Sequence, residues 1–337
     1  MQPERRAARD RLVIAAGLDG ATILPLAADA SFRRYDRIIH PDGRRAVLMD
    51  APPPNEDVRP FVRIARLLGE WNLSAPRVMA TDAEHGFLVL EDLGDDRFTL
   101  MLAAGFDETQ LYLAAVDVLA GLAGRVAPPD LPAQDLANLL DEVCLFLDWR
   151  WPEIAGRPAN DAERRSFRDA WAEVLVCPSA TQDVLVLRDY HLDNLMWLPD
   201  REGVRRVGLL DFQDAVRGNP AYDIASLVSD VRRDVPPAVA EAAIAHFLGL
   251  TGLAPGPFRA SLAILGAQRN TRILGVFTRL WRRDGKSGYL KWLPRTWALV
   301  RRDLAHPALE PVARWFEMHC KDDPQAARAA ELTEAQS

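Results

Sequence analysis

The order of strand and helix patterns along the 337-residue chain constrains its fold more than any other feature. Up to about residue 93, β-type segments dominate and turn formers separate them. These segments read "ATILPLA", "SFRRYDRIIH", "RRAVLMDA" and "HGFLVLEDLG". Helical patterns accompany them over residues 5–17 and in "DVRPFVRIARLLGEW". This part of the sequence therefore predicts a small antiparallel sheet with helix packed on it.

From residue 107 onward the spacing of apolar residues is mainly helical. Helices are predicted over residues 107–124, 134–149, 160–176, 221–233, 237–249, 258–282 and 306–319. The sequence therefore indicates an α+β fold with two lobes. We expect a sheet-bearing lobe over residues 1–93, a larger, mainly helical lobe over 94–325, and a flexible tail over 326–337, where the apolar pattern is lost.

Composition narrows the possible partners. With 49% hydrophobic residues, the chain can bury a full core. Its net charge of −7 gives no broad basic field, so we expect no nucleic-acid partner. No window reaches the ~18 apolar residues of a membrane span, and three widely separated cysteines are typical of reduced thiols. We expect a cytoplasmic protein without a membrane partner.

A group of polar side chains lies between two apolar runs in "VLVLRDYHLDNLMWLP", residues 184–199. The second run, "LMWL", and the later "VGLL" are joined by turn formers, so they predict an antiparallel hairpin. If Leu198 pairs with Val207, Asn194 lies opposite Asp211. We therefore expect an amide and a carboxylate to meet at one end of this hairpin.

Asp189 lies five residues before Asn194, on the loop that enters the hairpin. Amide and carboxylate oxygens are hard ligands that suit Mg²⁺, and a loop carboxylate that is not bound to the metal can accept a proton from an alcohol. Together these groups predict phosphoryl transfer to a hydroxyl. The spacing Asp-x4-Asn, followed after the next strand by "DFQD", is that of the catalytic loop and metal-binding motif of protein kinases.

Segments along almost the whole chain resemble the aminoglycoside phosphotransferase-like small-molecule kinases. They read "ADASFRRYDRI", "VLMDAPPPNEDVRPFVRIARLL", "GFLVLEDLGD", "LRDYHLDNLMWLP", "VGLLDFQDAVRGNPAYDIASLVSDVRRDV" and "LGAQRNTRILGVFTRL". More narrowly, the set looks like the anomeric kinases of N-acetylmuramate and N-acetylglucosamine used in bacterial cell-wall recycling. The resemblance implies a two-lobed, protein-kinase-like fold.

The same resemblance implies roles at the catalytic centre. Asp189 would be the catalytic base, and Asn194 and Asp211 would hold Mg²⁺. Asp223, in "NPAYDIASL", would support the catalytic loop from the start of a helix. Alternatively, Asp223 is an ordinary acid at a helix N-terminus, where it stabilises the helix by ~0.3 to 1 kcal/mol.

The resemblance also implies where ATP binds. The backbone around Glu91 and Leu93 would face adenine at the hinge between the lobes. The turn that contains Ser31, in "DASFRRY", would cover the phosphates. These residues are the predicted nucleotide site.

One residue departs from the kinase pattern. Kinases of this shape carry a strand lysine on the α- and β-phosphates, whereas this strand has Met49 and the chain has no lysine before Lys286. Arginine could supply the cation through its bidentate fork. Because side chains alternate along a strand, only one of Arg33 and Arg34 can point at the nucleotide, and we assign Arg33.

The acceptor site is predicted from a polar stripe. Gln268 and Arg272 share one face of a predicted helix, and Arg232 follows "LVSD" earlier in the chain. They could line a sugar pocket in which an arginine meets a carboxylate such as the lactyl group of N-acetylmuramate. Alternatively, the stripe is the solvated outer face of its helix.

The motifs predict a kinase that uses ATP and Mg²⁺, and the resemblance implies that it phosphorylates the anomeric hydroxyl of N-acetylmuramate or N-acetylglucosamine. The product would be a sugar 1-phosphate for peptidoglycan recycling. An aminoglycoside or another small molecule with a hydroxyl is the alternative acceptor. The missing strand lysine favours a second alternative, a nucleotide-binding pseudokinase with a regulatory role.

Overall fold

The computed structural model describes residues 3–28, 32–180 and 184–320. They belong to two compact units. The first unit takes in the described parts of Met1–Val118 and Leu192–Ala215, and the second those of Leu119–His191 and Val216–Ser337. The lobe boundary after residue 93 stays a prediction, and the predicted tail at 326–337 lies outside the described residues.

A five-stranded antiparallel sheet with the order β1-β2-β3-β5-β4 dominates the first unit. The described strands are β1 (Thr22–Ala28), β2 (Arg34–Ile39), β3 (Arg45–Asp50), β4 (Val78–Asp82), β5 (Phe87–Glu91), β6 (Val184–Val186), β7 (Leu195–Trp197), β8 (Val207–Leu209) and β9 (Val216–Gly218). Strand β4 was not predicted, because its alternating, half-exposed sequence "VMATD" lacks a run of large apolar side chains. The small antiparallel sheet itself is confirmed.

Helix α1 covers one face of this sheet. The helices of this part are α1 (Pro3–Ala15), α2 (Arg59–Glu70), α3 (Phe98–Ala103) and α4 (Glu108–Ala123), the last of which continues into the second unit. Leu12 of α1 and Leu48 of β3 belong to one buried apolar cluster. Because side chains alternate along a strand, Val47 and Met49 point to the opposite face of the sheet.

Strands β7 and β8 pair as the predicted antiparallel hairpin, but the predicted register was wrong by one residue. Trp197, not Leu198, lies opposite Val207. A 3₁₀ turn over Gly203–Arg206 leads directly into β8, and Leu198 N donates to Arg206 O at 2.8 Å. The turn therefore takes up one residue that the predicted pairing had assigned to the strand.

The second unit is mainly helical, and strands β6 and β9 pair within it. Its remaining helices are α5 (Leu136–Val143), α6 (Trp151–Ala155), α7 (Asp161–Ser179), α8 (Ala221–Val228), α9 (Pro237–Thr251), α10 (Pro255–Arg282), α11 (Leu293–Leu304) and α12 (Glu310–His319). Each helix predicted beyond residue 107 has a counterpart, although α5 and α8 end earlier than predicted and α6 and α11 were not predicted.

Helix α10 passes very close to the backbone that follows α5. A Cβ atom at Gly275 would lie 2.4 Å from the carbonyl carbon of Leu145, next to a π-helical segment over Phe146–Arg150. Only glycine permits this approach. The approach helps to bury the middle of α10, including its polar residues 268–271. Polar side chains in such a position require partners inside the unit.

Candidate active site

A cavity of about 700 Å³ lies in the first unit, on the sheet face that α1 does not cover. Cavities of ~300 to 1,000 Å³ are the usual size for binding small molecules. Its walls come from the sheet, from the segment after β5, and from the ends of the β7–β8 hairpin. The lining residues include Tyr35, Val47, Phe61, Leu90, Glu91, Leu93, Asn194, Met196 and Asp211. Of the predicted site residues, Glu91 and Leu93 near the end of β5 and Asn194 and Asp211 at the ends of the hairpin line this cavity.

The predicted adenine-binding residues are Glu91, the last residue of β5, and Leu93 just after it, and both line the cavity. The Glu91 carboxylate accepts a hydrogen bond from Arg201 Nη2 at 2.7 Å, so this side chain is held against the hairpin loop. Gly208 of β8 lies behind Leu93. A Cβ atom there would be 3.1 Å from Leu93 Cδ1 and 2.9 Å from Met196 Cβ. The nucleotide-binding role of Glu91 and Leu93 stays a prediction.

Arg37 of β2 binds the segment after β5. The sequence reasoning did not identify this residue. Its Nε lies 2.8 Å from Asp92 Oδ2, and its Nη2 donates to Asp95 Oδ1 at 2.8 Å. The guanidinium also donates to the Gly94 carbonyl at 3.2 Å. The hydrogen bond from Arg37 holds the pKa of Asp95 below its usual range. The segment that lines the cavity is therefore fixed to the sheet by an arginine that is 11% exposed.

Asn194 and Asp211, the predicted metal ligands, both line the cavity. Asn194 Nδ2 lies 3.5 Å from Asp211 Oδ2, so the two side chains meet despite the shifted register. Gln213 Nε2 donates to Asp211 Oδ1 at 2.9 Å. Asp211 has a φ of 57°, in the left-handed region that few residues other than glycine, asparagine and aspartate adopt. Its carboxylate is thus held in a defined orientation.

This pair fits Mg²⁺ by donor type. Magnesium binds one or two carboxylates and completes its octahedral shell with water and phosphate oxygens. The Asp211 carboxylate and the Asn194 amide oxygen are donors of this kind. Within the described ranges, no group of three or more His, Cys, Asp and Glu side chains could hold a metal ion. A magnesium ion at this pair would complete its coordination with water and phosphate oxygens.

Arg33 lies beside the same carboxylate. Its Nη1 is 3.8 Å from Asp211 Oδ1, and its Nε donates to Glu56 Oε2 at 2.9 Å. Arg34, the next residue, is exposed at the start of β2. Ser31, predicted to cover the phosphates, lies outside the described residues. Of the two candidate arginines, Arg33 is the one that the structure brings to the metal-ligand pair.

Asp189 lies in the second unit, in the loop after β6. The backbone N–H groups of Leu187 and Arg188 donate to the Asp223 carboxylate at 2.6 and 2.8 Å. Asp189 N in turn donates to Leu187 O at 2.9 Å. Arg188 has a φ of 71°, a conformation that costs a non-glycine residue on the order of 1 to 3 kcal/mol. Asp223, on α8, therefore holds a strained turn immediately before Asp189.

Replacing Asp223 by alanine is expected to lower the free energy of unfolding by about 2 to 5 kcal/mol, because the buried N–H of Leu187 and the partly buried N–H of Arg188 lose their acceptor. Burial raises the pKa of Asp223 to about 7, while the two backbone hydrogen bonds favour its charged form. Denaturation in urea measures the loss. Asp161→Ala, at the exposed start of α7, is the matched control and should cost less than about 1 kcal/mol. If both variants lose equally little free energy of unfolding, Asp223 is an ordinary acidic residue at a helix N-terminus and does not support the loop.

His191 follows Asp189 by two residues and is buried, with 4% of its surface exposed. Burial lowers the pKa of His191 well below its ordinary value, and the positive charges of Arg232 and Arg269 lower it further. The imidazole is therefore neutral near pH 7. Arg269 is itself 3% exposed, and burial lowers its pKa, against the effect of Asp189 and other nearby groups. The sequence reasoning missed Arg269, which lies within the polar run at residues 268–272 of α10, where nothing in the local sequence marks it as buried.

The predicted acceptor-binding residues lie in the second unit and do not all reach its surface. Gln268 is fully buried, and its Nε2 donates to a backbone oxygen of α5 at 3.0 Å. Arg272 Nε lies 3.9 Å from Glu142 Oε2, and Arg188 forms an ion pair with the same carboxylate. Arg232 is partly exposed. Glu142 was not identified from the sequence, and the sugar-binding role of Gln268, Arg272 and Arg232 stays a prediction.

Solved structures define the class of fold. An aminoglycoside phosphotransferase in its ADP-bound form matches with a TM-score of 0.62 at 14% identity, covering 94% of this chain and 99% of the other. A choline/ethanolamine kinase family protein from Mesorhizobium loti matches with a TM-score of 0.61 at 14% identity, covering 93% and 99%. The predicted α+β, protein-kinase-like fold, with an N-terminal antiparallel sheet and a largely helical C-terminal part, is confirmed.

Sequence comparison gives the family. The model of the phosphotransferase enzyme family matches residues 22–260. An N-acetylmuramate/N-acetylglucosamine kinase from Caulobacter vibrioides is 35% identical, covering 95% of this chain and 98% of the relative. One of the same name from Pseudomonas aeruginosa is 36% identical, covering 82% and 81%. The chain belongs to the phosphotransferase enzyme family and is a small-molecule kinase of that family. None of its described helices is long and apolar enough to cross a membrane.

Proposed function

We propose that this kinase transfers the γ-phosphoryl group of ATP to the anomeric hydroxyl of N-acetylmuramate or N-acetylglucosamine. The observation that carries the proposal is the 35% identity, over 95% of the chain, to a kinase named for these two sugars. The product is a sugar 1-phosphate. This sugar 1-phosphate is used in peptidoglycan recycling in the cytoplasm.

The cavity of the first unit is the proposed ATP site. Adenine lies against the backbone of residues 91–93, and Val47 and Leu90 supply apolar walls. Asn194 and Asp211 hold Mg²⁺, which when bound offsets the negative charge of the phosphates. The acid, the amide and the apolar sheet face in one cavity support this assignment.

Asp189 is the proposed catalytic base. Its carboxylate orients the sugar hydroxyl and accepts its proton while the sugar oxygen bonds to the γ-phosphorus. The bond between the γ-phosphorus and the bridging oxygen breaks at the same centre, and ADP leaves with that oxygen. Asp223 contributes indirectly, because its two hydrogen bonds fix the turn before Asp189.

Gln268, Arg272 and Arg232 are the proposed acceptor-binding residues. Gln268 Oε1 has no hydrogen-bond partner within the described part of the chain, but the side chain is fully buried, so a sugar could reach this acceptor only if the residues around it moved. Arg272 and Arg188 both lie beside the Glu142 carboxylate, so two guanidinium groups are close together there. Guanidinium groups suit a carboxylate-bearing sugar such as N-acetylmuramate.

Phosphorus NMR of the reaction product tests the proposal. Purified protein with Mg-ATP and N-acetylmuramate should give a phosphate resonance coupled to a single proton, H1, as a 1-phosphate requires. N-acetylglucosamine should give the corresponding product. A phosphate coupled to two protons would instead identify a 6-phosphate and contradict the anomeric assignment.

The same experiment separates the alternatives. Kanamycin in place of the sugar is expected to stimulate no ADP release, and efficient phosphorylation of kanamycin would favour the antibiotic kinase. ATP binding without transfer to any of the three acceptors would favour the pseudokinase, which the position of Met49 in β3 supports.

A further inference from the structure

The strand position that carries lysine in other kinases holds a buried methionine. Met49 of β3 is 1% exposed, and it lies on the same face as Val47, two residues earlier, which lines the cavity. The first lysine in the chain is Lys286, in the second unit. The phosphates of a nucleotide in the cavity therefore need a cation from elsewhere in the first unit.

Arg33 and Glu56 form a partly buried ion pair at the edge of that site. Arg33 Nε donates to Glu56 Oε2 at 2.9 Å, and the two side chains are 11% and 10% exposed. The other carboxylate oxygen, Glu56 Oε1, accepts from Phe32 N at 3.3 Å. Glu56, in the segment before α2, thus binds two consecutive residues just before β2.

The pair is directed at the metal-ligand end of the cavity. While Nε is engaged by Glu56, Nη1 of Arg33 lies 3.8 Å from Asp211 Oδ1. An arginine guanidinium is charged at any ordinary pH. An exposed arginine would have to be ordered at some cost on binding, whereas this one is already held by a carboxylate.

We propose that Glu56 is a positioning residue that holds Arg33 against the phosphates of the nucleotide, so that the Arg33–Glu56 pair replaces the missing strand lysine and its acid partner. This inference rests on the proposed nucleotide site, and it assigns a role to Glu56, which neither the motifs nor the family resemblance identified. The cation comes from the residue before β2 and its acid from the residues before α2. Both differ in position from the strand lysine and helix glutamate of protein kinases.

A double-mutant cycle followed by calorimetry tests the pair. Arg33→Ala should weaken Mg-ATP binding by about 10- to 100-fold, because charge-assisted hydrogen bonds to phosphate are lost. Glu56→Gln keeps the shape but removes the charge, and it should weaken Mg-ATP binding by about 3- to 30-fold. In the double variant the two losses should not multiply, since Glu56 acts through Arg33. Binding of adenosine, which has no phosphates, should stay unchanged in all three variants.

Two controls accompany the cycle. Arg34→Ala, which removes an exposed arginine next in sequence, should leave Mg-ATP affinity unchanged. Arg33→Lys should recover part of the affinity lost in Arg33→Ala, because it restores a positive charge. Thermal melting of each variant reports any loss of folding.

Several outcomes would overturn the inference. They are unchanged or tighter Mg-ATP binding in Glu56→Gln, multiplicative losses in the double variant, or an equal loss of adenosine binding. If the wild-type protein binds no Mg-ATP, both the proposed nucleotide site and the proposed role of the Arg33–Glu56 pair are wrong. Failure to phosphorylate either sugar, with the cycle as expected, would refute only the proposed acceptor.

Discussion

Asp189→Asn is expected to slow sugar-dependent phosphoryl transfer by ~10² to 10⁴-fold, the usual contribution of general-base catalysis. Asparagine keeps the shape and much of the hydrogen bonding of aspartate but cannot accept the proton. Since the proposed contact of Asp189 is with the acceptor, the affinity for Mg-ATP should change little. Sugar-stimulated ADP release measures the rate, and calorimetry measures the affinity.

The control for this variant is Asp200→Asn, which removes an exposed carboxylate from the hairpin loop and should leave the rate unchanged. Equal rates for the wild type and Asp189→Asn would exclude Asp189 as the base. A wild type without sugar-stimulated ADP release, combined with unaltered behaviour of the variant, is what a pseudokinase predicts.

Asp211→Asn is expected to abolish turnover and leave the melting temperature nearly unchanged. The substitution removes the only formal negative charge of the Asn194–Asp211 pair, and two amides are poor ligands for Mg²⁺. The variant should also lose the difference in ATP affinity that the wild type shows with and without Mg²⁺. Calorimetry in Mg²⁺ and in EDTA measures this difference independently of turnover.

Asp214→Asn is the matched control, because Asp214 is exposed, lies three residues along the chain, and accepts from the same Gln213 amide at 3.2 Å. Its turnover and its response to Mg²⁺ should match those of the wild type. Robust turnover in Asp211→Asn would rule out the metal site at the end of the hairpin.

Local patterns were sufficient to predict most of the fold. Alternation and turn formers identify β1, β2, β3 and β5, and helical spacing identifies the long helices of the second unit. Helix α11 could have been found, because Leu293, Trp297 and Val300 are buried at helical spacing. Strand β4 could not, since an edge strand that is half exposed carries little apolar signal.

The candidate site was predictable where its residues are close in sequence and not where they are distant. Asn194 and Asp211 belong to one hairpin, so the hairpin alone brought them together. Glu56, Arg37 and Glu142 act through partners that are distant in the chain, and no local spacing reports such pairs. The hairpin register depended on a 3₁₀ turn that turn-forming residues alone do not specify.

Gly208 lies behind the cavity wall and determines how far two of the lining side chains project into the cavity. Leu93 and Met196 form part of its lining, and the absent Cβ of Gly208 is what lets both side chains sit back into the wall. Any larger residue would push them forward and narrow the cavity. If the cavity binds adenine as proposed, selectivity among bulky base analogues should depend on Gly208, which lies behind these side chains and does not line the cavity, so position 208 would be a means of tuning the kinase to modified nucleotides.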